Sequence, residues 1–183
     1  MNETSDAAVK SGAGTVRPPS GRSGWRWLPL TVAVVLADQM VKSWIVQHFS
    51  LFERVHVLGV LDIILTYNTG AAFSFLAQAS GWQRWLFVLL ALGVSLVLLA
   101  WLRRLHATRQ GLLACGLALI AGGALGNMID RLRYGRVVDF VHVHWQQHYF
   151  PAFKVADSAI TIGAALLLLD AWRESRANAR ERA

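Results

Sequence analysis

Two aspartates bracket the stretch "GRVVDFVHVHWQQHYFPAFKVAD", which runs from residue 135 to residue 157 between two strongly apolar segments. Asp139 follows two valines near its start, and Asp157 closes it. Two carboxylates that are held close together cannot both ionise cheaply, so they share one proton. The ionised member of such a pair can take a proton from water, and the protonated member can donate to a carbonyl oxygen. These two carboxylates could therefore do acid–base chemistry together if the fold brings them close.

Each of these residue types also has an ordinary structural interpretation. Asp157 precedes "SAITIG" and is suited to be the N-cap of a helix, and Asp139 could be a solvated loop carboxylate. The stretch also contains the potential metal ligands His142, His144 and His148. A loop beside lipid headgroups is an equally ordinary place for histidine. The residues alone leave these alternatives open.

Four apolar segments are long enough to cross a bilayer, which requires about 20 mainly apolar residues. The chain has 183 residues, of which 55% are hydrophobic and 16% are charged, and its mean hydropathy is +0.40. The predicted spans run from Trp27 to Phe49, from Trp85 to Leu102, from Leu112 to Ile129 and from Val155 to Trp172. The pattern predicts an all-α integral membrane protein with four transmembrane helices. Basic residues precede the first span, as in a signal peptide, but three further spans favour an uncleaved anchor.

Basic residues predict the orientation of the spans. Most of the 18 Lys and Arg residues flank the start of the first span, the link between spans two and three, and the end of the fourth. The positive-inside rule therefore places both termini in the cytoplasm and residues 135–157 outside. The net charge of +7 is concentrated at the ends of apolar runs, which favours membrane lipids over nucleic acid as partners.

Three parts of the chain differ from these spans in composition. Residues 1–24 are rich in Gly, Ser, Pro and Thr and predict a disordered cytoplasmic tail ahead of a membrane domain over residues 25–172. Within that domain, residues 51–76 are rich in β-branched residues and turn signals, which predicts a small extracytoplasmic β-sheet. Residues 173–183 form a basic cytoplasmic tail.

Ionisable residues within a span are costly, about 2.5–3.5 kcal/mol each, so they need a partner or a purpose. Asp38 and Lys42 are spaced i,i+4 on one helix face, where they can form an ion pair. In the third span, Gly122 and Gly126 form a small-residue face that allows close helix contact.

Two further groups of polar residues lie near the ends of the spans. Asn127, Asp130 and Arg131 follow the small-residue face at the outer end of the third span. Of these, Asp130 and Arg131 could simply mark the membrane interface. "YNTGAAF" predicts a turn, because Asn68 and Gly70 suit tight backbone conformations.

Taken together, "DQMVK", "NTGAAF", "GGALGNMIDR", "VVDF" and "FPAFKVAD" resemble, in this order, the motifs of lipoprotein signal peptidase, the bacterial signal peptidase II family of intramembrane aspartic proteases. The resemblance implies an aspartic endopeptidase that removes the signal peptide from diacylglyceryl-modified prolipoproteins, cutting before the lipidated cysteine. It implies Asp139 and Asp157 as the catalytic pair, with no cofactor and no metal. The family's supporting positions match Asp38, Lys42, Asn68, Gly70, Asn127, Asp130 and Arg131. We expect a monomer in the bacterial inner membrane, with its active site near the outer face.

One position departs from the family pattern. The motif F-N-x-A-D reads "FKVAD" here, so that Lys154 replaces an asparagine that borders the aspartate pair. An ammonium beside the pair would favour both carboxylates as anions and lower their pKa values, whereas the mechanism needs one of them protonated. Alternatively, Lys154 extends towards lipid phosphates and leaves the pair alone.

Two other classes of protein remain alternatives. A four-helix transporter would use Asp38 as an intramembrane proton or cation site. A metal-binding membrane protein would use the loop histidines.

Overall fold

The computed structural model describes residues 23–70, 80–106, 110–146 and 148–182. Its helices are α1 (Leu28–His48), α2 (Trp82–Arg104), α3 (Gly111–Tyr134) and α4 (Val155–Glu181), and a single 3-10 turn, Gly24–Trp27, precedes α1. Its strands are β1 (Arg54–Leu58), β2 (Leu61–Asn68), β3 (Val137–Trp145) and β4 (His148–Tyr149). Within the described ranges, four helices are long and apolar enough to cross a membrane. The predicted fold class, a four-helix membrane protein with a small sheet, is confirmed.

Three helices extend beyond the predicted spans: α2 begins at Trp82 instead of Trp85, and α3 ends at Tyr134 instead of Ile129. Helix α4 continues past Trp172 to Glu181, through most of the segment interpreted as a basic tail. Most of the predicted N-terminal tail, residues 1–22, lies outside the described residues. Its last two residues are ordered, because the Gly24 N–H donates to the Leu105 carbonyl at 2.9 Å and Ser23 Oγ donates to the Arg103 carbonyl at 2.9 Å.

Helix α3 is the centre of the bundle and packs against the other three helices. Its glycines make this possible, as the small-residue face predicted. A Cβ added to Gly122 would lie 2.8 Å from Cβ of Val34, and one added to Gly126 would lie 2.7 Å from Oδ2 of Asp38. Both contacts are with α1, so these glycines permit the close approach of α1 and α3.

The outside of the bundle exposes large apolar side chains, most of all along α2. Such a surface suits a hydrocarbon environment and would be unusual in water. Exposed examples on α2 are Leu86, Leu89, Leu90, Leu96 and Val97. Between α2 and α3, by contrast, Leu102, Leu117 and Ala118 are fully buried.

The four strands form one antiparallel sheet in the order β1-β2-β3-β4. A buried cluster of Ile45, Leu65, Val138 and Phe140 packs β2 and β3 against the end of α1. The sheet predicted between residues 51 and 76 is therefore confirmed for β1 and β2, and residues 71–76 lie outside the described residues.

Strand β3 was not predicted, because "VVDFVHVHW" was interpreted as part of a loop. The interpretation of Asp139 as a solvated loop carboxylate is therefore wrong. Asp139 lies on β3, opposite Thr66 of β2, and is buried.

Candidate active site

The two candidate catalytic aspartates meet at the junction of the sheet and the bundle. Asp139 is held by β3, and Asp157 lies in the first turn of α4. The ammonium of Lys154 contacts both: its Nζ is 2.6 Å from Oδ1 of Asp139 and 2.7 Å from Oδ2 of Asp157. The structure therefore brings together the three residues that the sequence separates by up to 18 positions.

The interpretation of Asp157 as a helix N-cap is wrong. Helix α4 begins at Val155, its N-cap residue is Lys154, and Asp157 is already the third residue of the helix. The carboxylate of Asp157 instead accepts hydrogen bonds from Lys154 and, at 3.2 Å, from Nδ2 of Asn127 on α3. Asp157 therefore contacts other residues of the candidate site and does not cap the helix.

Lys154 is buried, and its side chain points at the aspartates instead of at a membrane surface. Burial alone would lower the pKa of this ammonium, but the charges and hydrogen bonds of Asp139 and Asp157 outweigh it and raise the pKa above its usual value. The ammonium of Lys154 therefore lies between two carboxylates that favour its charged form. The sequence left open whether Lys154 lies beside the aspartate pair or extends towards lipid phosphates, and in the structure it lies beside the pair.

The two carboxylates lie in different environments. The side chain of Asp139 is 5% exposed, and that of Asp157 is 36% exposed. Burial raises the pKa of Asp139 above its usual value, although the positive charge of Lys154 opposes this. The expectation that Lys154 would lower the pKa of both carboxylates is therefore incomplete, because for Asp139 the loss of water has the larger effect.

The predicted turn at Asn68 and Gly70 borders this site. Oδ1 of Asn68 accepts a hydrogen bond from the Gly70 N–H at 2.9 Å, which closes the turn. Arg131 of α3 donates to the Gly70 carbonyl at 2.9 Å and also stacks over the ring of Phe87. The supporting residue Arg131 thus ties the end of β2 to the bundle instead of marking an interface. The rest of "YNTGAAF", from residue 71, lies outside the described residues.

Asp38, Lys42 and Asp130 form a buried ion network next to the aspartate pair. Nζ of Lys42 lies 2.5 Å from Asp38 Oδ2 and 2.8 Å from Asp130 Oδ2. The predicted i,i+4 pair is confirmed, and Asp130 is its third member. Gln39, which the sequence reasoning did not single out, completes the network by donating to Asp130 at 2.8 Å. The sequence could have indicated Gln39, because this residue directly follows Asp38 in the motif "DQMVK".

This network holds the backbone on either side of the site. Asp38 accepts a hydrogen bond from the Ala156 N–H at 2.8 Å, and Asp130 accepts one from the Val138 N–H at 3.1 Å. Val138 and Ala156 each directly precede one of the two candidate catalytic aspartates. The buried charges therefore have a positioning purpose, because each fixes the chain at one member of the pair.

Both aspartates line a cavity of about 1200 Å³. Its wall combines the polar groups of the site with apolar side chains from the sheet and from the segment before α4. These apolar residues include Ile64, Val143, Phe150 and Phe153. The cavity can therefore hold an extended apolar ligand with a polar group presented to the carboxylates.

Comparison with known proteins assigns this arrangement to a family. The chain matches the family model described as "Signal peptidase (SPase) II" over residues 30–173. A lipoprotein signal peptidase from Pseudomonas paraeruginosa is 51% identical over 158 residues, which cover 85% of this chain and 92% of the relative. One from Shewanella halifaxensis is 48% identical over 150 residues, which cover 82% and 88%.

Solved structures agree with the sequence relatives. A bacterial membrane enzyme determined by the in meso method at 2.3 Å resolution has a TM-score of 0.73 at 28% sequence identity, covering 82% of this chain and 89% of that one. A second, at 1.9 Å resolution, has a TM-score of 0.69 at 30% identity, covering 79% and 90%. The family model extends over most of the four helices, the whole sheet and both aspartates, and the chain belongs to the signal peptidase II family.

Proposed function

We propose that this membrane protease removes signal peptides from diacylglyceryl-modified prolipoproteins, cutting before the lipidated cysteine, with Asp139 and Asp157 as its catalytic pair. Membership of the signal peptidase II family makes the chain a peptidase that acts on prolipoproteins. The observation that carries the assignment of the pair is their convergence: two aspartates from different elements contact one ammonium at the wall of a large cavity. The transporter alternative is not favoured, because Asp38 is engaged by Lys42 and by the start of α4.

The unlike environments of the carboxylates suggest their roles. Asp157, which is more exposed to water, is the ionised member that takes a proton from the attacking water molecule. Asp139, whose pKa is raised by burial, is the protonated member that donates to the carbonyl oxygen of the scissile peptide. The water oxygen bonds to the carbonyl carbon, and a neutral tetrahedral diol results. As the C–N bond breaks, Asp157 returns its proton to the leaving nitrogen and Asp139 recovers its own.

Asn127 and Asn68 are positioning residues in this scheme. Asn127 donates to Asp157 at 3.2 Å and so orients the carboxylate that activates water. Asn68 closes the turn at Gly70 and also forms a hydrogen bond with Asp139 that lowers the pKa of that carboxyl, against the effect of burial. Lys154 sets the charge of the whole pair, since its ammonium favours the form in which both carboxylates are ionised.

The cavity fits the chemistry of this substrate class. A prolipoprotein presents an apolar signal helix and two acyl chains next to the bond that is cut, and the apolar residues of the cavity lie beside the aspartates. The chain is a multi-pass protein of the bacterial inner membrane. We propose that both termini are cytoplasmic and that the site opens near the outer face, since basic residues flank the ends of α1 and α4. We also propose that it acts as a monomer with membrane lipids around it.

The direct test uses the purified full chain in detergent with a diacylglyceryl-modified prolipoprotein, and follows the loss of mass on cleavage. Asp139→Asn and Asp157→Asn should each lower turnover by at least about 100-fold, because each removes one acid–base group. Asp170→Asn is a matched control on the same helix, away from the cavity, and should cleave normally. Appreciable turnover in either site variant would overturn the catalytic pair.

A further inference from the structure

A second polar cluster lies on the sheet and plays no part in the proposed hydrolysis. It contains His56 of β1, Asp62 of β2 and His144 of β3, one residue from each of three neighbouring strands. Nδ1 of His56 is 2.8 Å from Oδ1 of Asp62, and Nε2 of His144 is 3.4 Å from the same oxygen. Asp62 is buried. The potential ligand atoms of the three residues all lie within 4.8 Å of one another.

The register of the sheet explains why these residues meet. Directly opposed residues of an antiparallel sheet share a face, and so do residues two apart on one strand. His56 is opposite Asp62, Asp62 is opposite His142, and His144 lies two residues beyond His142 on β3. His148 is opposite Trp145, the neighbour of His144 on β3, and therefore lies on the other face of the sheet. The three histidines that the sequence suggested as a metal site are not one cluster.

We propose that His56, Asp62 and His144 bind a divalent transition-metal ion, for which Zn²⁺ is the best match. Two imidazoles and a carboxylate are a common donor set for zinc. Tetrahedral ligands at about 2.0–2.2 Å from Zn²⁺ lie about 3.3–3.6 Å from one another, and the His144–Asp62 distance is already 3.4 Å. The His56–Asp62 distance must lengthen by a few tenths of an ångström, and the His56 side chain, 61% exposed, is free to move outward.

The positive charge of Arg54, next to the cluster, affects how tightly the site can bind a cation. Nη1 of Arg54 lies 3.6 Å from the other oxygen of Asp62, so its positive charge opposes a cation. The Arg54 side chain is 42% exposed and can turn into solvent. His142, on the same face, or a water molecule can complete the coordination. The ion would cross-link three strands, including the strand that carries Asp139, and would support the sheet without taking part in hydrolysis.

The test measures metal binding directly, with Co²⁺ as a spectroscopic probe for the zinc site. The full chain is purified without a histidine tag, stripped with a chelator and titrated in detergent. We expect one Co²⁺ per chain, with visible d–d absorption that Zn²⁺ abolishes by displacement. His56→Ala, Asp62→Asn and His144→Ala should each weaken binding by more than the roughly 10–100-fold typical of losing an outer-shell partner. His148→Ala should bind as the wild type does, and Arg54→Gln should bind more tightly.

Thermal unfolding gives a second measurement that does not depend on spectra. Zn²⁺ should raise the Tm of the wild type and of His148→Ala but not that of His56→Ala, whose exposed side chain can be truncated without loss of the fold. The proposal is overturned if the wild type binds no Co²⁺ or if Asp62→Asn binds at full strength. It is equally overturned if His148→Ala loses the ion while His56→Ala keeps it. None of these outcomes depends on peptidase activity.

Discussion

Replacing Lys154 with asparagine should move the pH dependence of cleavage upward. The proposed mechanism requires one proton on the aspartate pair, so activity falls at low pH when both carboxyls are protonated and at high pH when both are ionised. Lys154 contacts both carboxylates and favours the doubly ionised form. In the wild type, therefore, the last proton leaves at a lower pH than it would without the ammonium. Lys154→Asn restores that proton at neutral pH.

The contacts indicate the size of this effect. Two opposite unit charges about 4 Å apart attract by about 4 kcal/mol at an effective dielectric constant of about 20. Water and the new amide replace part of this interaction, and an opposite charge at this range typically lowers a carboxyl pKa by about 1–3. We therefore expect both limbs of the pH–rate profile to move up by about 1–3 pH units. Wherever the wild type works on its basic limb, each unit raises the rate about tenfold.

The assay is cleavage of a diacylglyceryl-modified prolipoprotein in detergent, measured from pH 4 to pH 9 for the wild type, Lys154→Asn and Lys154→Arg. The arginine variant is the matched control, since it keeps the positive charge and should keep the low-pH profile. Lys154→Asn should show the higher optimum and the faster turnover at neutral pH. If the profiles of the wild type and Lys154→Asn superimpose, the electrostatic role of Lys154 is wrong.

Three further predictions concern stability and orientation. Lys42→Met should lower the free energy of unfolding by about 3–5 kcal/mol, because it leaves two buried carboxylates without their cation; a denaturant series in detergent that shows a loss below about 1 kcal/mol would contradict this. Gly123→Ala should lower the free energy of unfolding by about 1–3 kcal/mol, because its Cβ overpacks α3 against the Ala156 carbonyl. Gly93→Ala, which has open space around it, should not lower this free energy, and equal Tm values for the two variants would contradict the prediction. Reporters fused after residue 183 and within residues 103–109 should show cytoplasmic activity, and a reporter fused at Trp145 should show extracytoplasmic activity. Cytoplasmic activity of the fusion at Trp145 would contradict the proposed orientation.

The length of apolar runs was enough to predict four spans, but it could not predict where every helix ends. "RESRANARE", after the fourth span, has no apolar face, yet Arg, Glu and Ala are good helix formers and α4 continues through it. Strand β3 was missed because its pairing partner β2 lies about 70 residues earlier, and its Asp and His residues suggested a polar loop.

The site residues could be named from their motifs, but their arrangement could not. Lys154 had two possible positions, and the choice depends on the extended backbone that precedes α4 and on the facing strand. The N-cap interpretation of Asp157 failed for a related reason, since the helix began two residues before it. Asp38 could be paired with Lys42 from the i,i+4 spacing alone. Its hydrogen bond to the Ala156 N–H, 118 residues away, requires the packed bundle.

The packing of α1 against α3 therefore helps to determine the position of the aspartate pair. Without a Cβ at Gly126, Asp38 fits against α3 and reaches both Lys42 and the start of α4. Asp130 reaches the same Lys42 and the start of β3. Asp38 and Asp130 each accept a hydrogen bond from the backbone N–H of the residue that precedes one of the two proposed catalytic aspartates, and the ammonium of Lys42 contacts both of these buried carboxylates. We therefore expect a change that separates α1 from α3 to alter the distance between the carboxylates of Asp139 and Asp157, although the proposed proton transfers involve no residue of either helix.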